Sequence, residues 1–197
     1  INIEPAPGYL SAFEAARPHD LNICCLLGSA AGSTTFSHFA ETGLSTTDPD
    51  VARQHVDLRG FQSETLERPV RTLSEICAQH VRGDIHFLKI DVEGAERDVL
   101  LGADFSRWRP WIVLVEATEP LSNVENWNDW EPLLLKADYR FVWFDGLNRF
   151  YIAAEHMTQH EAAFQTPPNV FDEWSLPSAP PATSDIAGLQ AAEEARQ

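Results

Sequence analysis

Three carboxylates stand where short apolar stretches end: Glu4 after Ile1–Ile3, Asp91 after Ile85–Ile90, and Glu116 after Trp111–Val115. In open α/β sheets, ligands bind just beyond the carboxyl ends of the strands, so acids at three such exits form a candidate site. Glu4 has a specific use there, because a carboxylate after a strand can accept hydrogen bonds from vicinal ribose hydroxyls. The plainer reading of Glu4 is a solvated acid favoured by the dipole of a following helix. Lys89, Asp91 and Glu93 recur at period two and share a face while the strand persists. Lysine is costly to bury unpaired. It therefore forms either a local ion pair or one wall of a polar pocket, in which a charge tunes a general base. Gly94 permits a tight turn, and residues 94–96 offer helix-start N–H groups to an anion.

The elements that must position these residues follow from periodicity and punctuation. Pro7 suits a first helical turn, with Tyr9, Leu10, Phe13 and Ala16 at helical spacing and Pro18 closing the helix. Leu21–Leu27 reads as one strand buried on both faces. After the turn at Gly28–Gly32, Ser33–Phe39 returns as a strand, and residues 40–68 read as a long loop with short strands. Thr72-Leu73-Ser74-Glu75 is a capping-box pattern that predicts a helix over Leu73–Val81. Ile85–Asp91 is a strand, Ala95–Leu101 a short helix and Trp111–Val115 another strand. Asn128-Asp129-Trp130-Glu131 suggests a second capping box, with Pro132 tolerated in the first turn. Arg140–Phe144 and Arg149–Ala153 flank Asp145-Gly146-Leu147-Asn148, a hairpin turn. A helix over Thr158–Phe164 follows. The alternation predicts an α/β sheet, mostly parallel, with an antiparallel C-terminal hairpin. Residues 1–174 read as the domain, and the proline-, alanine- and serine-rich 175–197 as a linker or tail holding a possible helix over Ile186–Arg196.

Composition excludes several classes. The 197 residues suit one domain, and a hydrophobic fraction of 44% rules out global disorder. A formal charge of 14 − 30 = −16 argues against a nucleic-acid partner, which needs clustered lysine and arginine. No apolar run is long enough to span a membrane. Cys24, Cys25 and Cys77 make a poor disulfide framework; they read as reduced core residues in a cytoplasmic protein. His156 and His160 could share a helix face, but HMTQH lacks the glutamate of a zincin motif, so no residue is assigned to a metal there. The six tryptophans read as core or lid. No Walker loop, G-x-S-x-G elbow or CxxC pair occurs.

The string IHFLKIDVEGAERDVLLGADF at residues 85–105 resembles the FkbM-family methyltransferases. VRTLSEIC at 70–77, IEPAPGYL at 3–10, FDGLNRFYIAAEH at 144–156 and PPNVFDEW at 167–174 resemble further stretches of that family, carrying the likeness from Ile1 to Trp174. The resemblance implies a Rossmann-like class I methyltransferase that uses S-adenosylmethionine to methylate a hydroxyl of a sugar, polyketide or related metabolite. By that analogy Glu4 binds the cofactor ribose and Ser29 lies near the adenine. Asp91 and Glu93 line the methyl-transfer pocket, beside Lys89, with Glu116 on its far side. Asp91 is the first choice of base, although Lys89 favours its ionised form and so weakens it. Alternatively, Asp91 and Glu116 hold a divalent cation that acidifies the hydroxyl.

The resemblance also implies a first strand and a glycine-rich cofactor loop ahead of Ile1. In the family's strand order that strand is central, between those ending at Glu4 and Asp91. Residues 1–197 alone are therefore expected to be poorly stable and to bind no cofactor, and the parent chain to carry further segments. Two other readings stand beside the O-methyltransferase. One is a non-catalytic module that binds a ligand or partner. The other is a metal-dependent hydrolase using Asp91, Glu116 and a histidine.

Overall fold

The computed structural model describes residues 1–40, 42–119 and 122–167, and one compact unit spans Ile1–Gln165. Within it, β1 (Asn2–Ile3) runs parallel to β2 (Asn22–Ile23). Next, β3 (Leu26–Leu27) runs parallel to β5 (Glu64–Arg71), which pairs antiparallel with β4 (Gly32–His38). The largest sheet has the order β6-β7-β9-β8. Its strands are β6 (Phe87–Ile90), β7 (Ile112–Glu116), β8 (Tyr139–Phe144) and β9 (Asn148–Ala153). Only β6 and β7 are parallel there; β9 is antiparallel to both β7 and β8. The protein is thus a mixed α/β structure rather than a mostly parallel one. Its longest ladders, β4 with β5 and the C-terminal hairpin, are antiparallel, whereas β1 and β2 share only two residue pairs.

The expected strand over Leu21–Leu27 is broken in two. The chain leaves β1 after Ile23 and joins β5 at Leu26, so Cys24 and Cys25 fall at the bend. Of that run only Cys25 is buried; Cys24, expected in the core, is exposed. Neither forms a disulfide, and Cys77 is also free.

Residues expected as loop contain α2 (Pro49–Arg59) and the start of β5. The helix has strong local signals. Asp48 Oδ1 accepts the N–H groups of Asp50 and Val51, Pro49 occupies the first turn, and Gly60 ends the helix at φ 67°. Other helices match their signals more closely. α1 (Pro7–Ala16) begins at its proline, and α3 (Leu73–His80) carries the complete Thr72–Glu75 capping box. α4 (Glu96–Leu101) follows β6.

The box read at Asn128 does not form. Asn128 lies in a 3-10 turn over Trp127–Asp129, and α5 (Glu131–Lys136) starts without a side-chain cap. Trp130 at that start is 1% exposed, so burial of its ring sets the local geometry. The helix expected over 158–164 splits into α6 (Met157–His160) and a 3-10 turn over Glu161–Phe164. The linker, the helix expected at 186–196 and all but the first residue of PPNVFDEW lie outside the described residues.

The main core packs α4 and α5 on the largest sheet through Ile90, Val99, Val113, Val115, Trp130, Leu134 and Tyr151. Gly102, just after α4, meets the second sheet. A Cβ there would sit 2.2 Å from Gly28 O, so only glycine allows the approach. Ser74 N and Oγ both donate to Gly102 O, which fixes α3 to the same junction.

One edge of β1 and one edge of β6 have no strand partner among the described residues. Both strands border a cleft of about 1080 Å³. Tyr9 and Phe13 of α1 turn their apolar spacing toward this cleft, and α1 has no buried residue.

Candidate active site

The β6–β7 register pairs Ile90 with Val115, which sets Asp91 beside Glu116. Glu93 joins them from the turn, and the three offer carboxylate oxygens all within 4.8 Å of one another. Such an oxygen set suits a hard divalent cation, though acids also cluster without one. Asp91 is anchored by Lys89, whose Nζ lies 2.5 Å from Oδ2; both side chains are partly exposed, so the plain ion pair expected of Lys89 is present.

Crowding raises the proton affinity of the other two. Burial, then the Asp91 and Glu96 charges, pushes Glu93 to about 7. Glu116 rises to about 8 through burial, the Asp91 and Glu93 charges, and a hydrogen bond with Asp91. Near neutral pH, Glu116 therefore keeps its proton while Glu93 is poised at its midpoint.

The backbone at Glu93 is unusual. Its φ is 53° and that of Gly94 is 99°. The left-handed region costs a non-glycine residue ~1 kcal/mol or more. Glu96 holds the turn in place. The residue is 2% exposed, and its Oε1 accepts Gly94 N at 3.1 Å and Val92 N at 3.3 Å. Burial nevertheless raises the Glu96 pKa. The N–H groups expected to serve an anion are thus partly taken by the chain itself. Glu96 stood in the KIDVEGAE string without a role, because nothing in the sequence shows a side chain folding back on its own turn. Glu96→Ala leaves those N–H groups unsatisfied and should cost ~1–3 kcal/mol in chemical denaturation. Glu96→Gln keeps an acceptor and should cost less than half as much; equal losses would remove the turn-holding role.

Glu4 lies on the same cleft as Asp91 and Glu93, directly after β1. Its Oε1 accepts Ala6 N at 2.8 Å, and its second oxygen has no partner among the described residues. Burial raises its pKa, against the Ala6 hydrogen bond and the charge of His38. Arg68 Nε donates to Pro5 O at 2.7 Å and so ties this exit to the second sheet. Ser29 is not brought to the cleft; it is exposed at the bend after β3. His156 and His160 do share a face, but both stack on Trp111, with ring centroids 4.7 and 5.8 Å away, at the far end of β7.

A family model described as the methyltransferase FkbM domain matches residues 1–141. The chain belongs to the FkbM methyltransferase family. The match takes in β1, the whole carboxylate cluster and the start of β8, and ends before the hairpin turn. No curated protein and no solved structure matches the chain. Among the described residues, no helix of this FkbM methyltransferase domain is long and apolar enough to cross a membrane.

Proposed function

We propose that the chain is an S-adenosylmethionine-dependent O-methyltransferase acting on a hydroxyl of a sugar or related metabolite, working in the cytoplasm. One observation carries the reading: in an FkbM-family chain, Glu4 and the cluster of Asp91 and Glu93 line one cleft at the carboxyl ends of their strands. The residues suit the cofactor. Glu4 has an unengaged oxygen for ribose hydroxyls, and the acids lie where a cationic sulfonium is welcome. When bound, S-adenosylmethionine supplies an electrophilic methyl group. The chain's own work is to hold the acceptor hydroxyl in line and to take its proton.

Asp91 takes that proton in this reading. Lys89 on one side and protonated Glu116 on the other hold it in place. Glu93, titrating near neutral pH, receives the proton next and returns it to solvent through the cleft. The acceptor is a neutral hydroxyl compound, because the acids of the cleft repel an anionic one. Glu4→Ala should raise the cofactor KM about tenfold or more while kcat moves little. An unchanged KM in steady-state assays of the full natural chain would sink the ribose assignment.

The cluster also sets a pH dependence of stability. Glu93 and Glu116 have folded-state pKa values of about 7 and 8, against 4.5 ordinarily. Between these limits the folded state holds more protons than the unfolded one, so stability declines as pH rises through the window. Glu116→Gln removes one of these protons from the balance. Its thermal midpoint should exceed that of the parent at about pH 8.5 and converge with it only below the ordinary value of 4.5. Parallel curves across that range would contradict the shared-proton description.

A further inference from the structure

A second cavity, of about 560 Å³, lies between α2, the turn into α4 and the segment around Asn126. Five buried side-chain N or O atoms among the described residues lack a hydrogen-bond partner, and three of them belong to residues that line this cavity: His55 Nε2, Asn126 Oδ1 and Trp130 Nε1. His55 is 5% exposed and Trp130 1%. Folded proteins leave few such atoms unpaired. Three at one cavity, from separate segments, are a second observation beside the cavity itself, and together they point to a ligand.

The unpaired set defines the ligand's chemistry. The Trp130 indole N–H can only donate. The Asn126 amide is oriented by Nδ2, which donates to Thr118 O at 3.2 Å, so its Oδ1 can only accept. Burial and the Arg59 charge lower the His55 pKa, leaving a neutral ring that can do either. An anion would leave Asn126 unpaired, and a cation would leave Trp130 unpaired. A hydroxyl group serves both. The lining also carries two arginines and three acids, so it has no strong sign of charge.

We propose that this cavity binds a neutral, hydroxyl-bearing small molecule through Trp130, Asn126 and His55. The three atoms are closed to water, so the ligand enters with small rotations of the His55 ring and the Asn126 amide. Gly94 and Glu96 form part of the wall, which places the ligand against the turn that carries Glu93. The proposal does not depend on methyl transfer, and its failure leaves that reading standing.

The test is a titration of the full natural chain, labelled with 15N, using glycerol and methyl α-glucopyranoside as neutral probes and methyl phosphate and methylammonium as charged ones. The chain has six indole N–H groups, and Trp130→Phe assigns the relevant resonance by its disappearance. A neutral probe should shift the Trp130 resonance saturably, and the charged probes should not. His55→Phe keeps a ring against Phe39, whose centroid lies 5.4 Å away, and removes an unpaired polar atom. It should weaken the neutral probe about tenfold or more while the thermal midpoint holds or rises. Asn126→Ala gives the same binding readout should His55→Phe not fold. The proposal is overturned if neither neutral probe shifts Trp130 saturably, if the charged probes act equally, or if both variants bind as the parent does.

Discussion

Asp91→Asn is expected to lower kcat/KM for methyl transfer by about 10²–10⁴-fold, equivalent to ~3–5 kcal/mol of transition-state stabilisation. Asparagine has nearly the same shape and can still accept a hydrogen bond from Lys89, so the geometry beside β6 survives. What it cannot do is take the acceptor's proton. The loss should fall on kcat, with the cofactor KM moving little, because the proposed reading assigns the cofactor ribose to Glu4. Folding should not suffer. The Asp91 charge is among the causes that raise Glu93 and Glu116, and removing it relieves both. A thermal midpoint equal to or above that of the parent, measured on the same samples, separates a chemical role from a structural one. Activity within threefold of the parent would remove Asp91 as the base.

The largest loss of stability is expected at Arg149. This guanidinium is buried, 9% exposed, at the start of β9. Nη2 lies 2.7 Å from Glu131 Oε1, and Nε donates to the Tyr151 hydroxyl at 2.9 Å. That hydroxyl donates in turn to Glu131 Oε1, also at 2.9 Å. Trp127 and Phe141 cover the guanidinium, with centroids 4.1 and 3.9 Å away. Arg149→Met keeps much of the apolar stem but leaves the largely enclosed Glu131 charge without a counter-ion, held only by the Tyr151 hydroxyl, and breaking such a pair costs ~3–5 kcal/mol. For a chain of this size the thermal midpoint should fall by roughly 10 °C. Adding Glu131→Gln should recover part of the loss, because it removes the orphaned charge. A fall of only a degree or two in Arg149→Met would mean that the network is solvated rather than buried.

What could be read from sequence was what is locally encoded. The capping box at Thr72, the proline at the start of α1 and the Asp145-Gly146 turn each settle their own hydrogen bonds within a few residues, and each forms. α2 was equally legible from Asp48-Pro49 and Gly60, but its apolar positions are sparse and the stretch passed for a loop. Pairing is not local. Leu21–Leu27 looks like one buried strand because its residues are apolar, yet the chain divides it between β1 and β5. The mixed character of the sheets has the same origin: the ladder of β4 on β5 joins residues from Gly32↔Val70 to His38↔Glu64, far apart in the chain. At the site, Asp91 and Glu116 were readable as acids at strand exits, and Glu93 as the period-two neighbour of Asp91. Their convergence was not, since it depends on the Ile90–Val115 register. Family likeness suggested Ser29 near the cofactor, but the bend after β3 leaves it exposed and off the cleft. Glu96 and the unpaired atoms around the second cavity gave no sequence signal at all, because burial alone gives them meaning.

The central claim is methyl transfer to a hydroxyl through Asp91. The most direct test incubates the full natural chain with methyl-labelled S-adenosylmethionine and a panel of sugars, sugar nucleotides and glycans, with Asp91→Asn run beside it. The account predicts that label accumulates on a hydroxyl of one neutral acceptor, saturably in both substrates, and that the variant loses it. Equal labelling by parent and variant, or a parent that binds the cofactor and labels nothing across the panel, would contradict it.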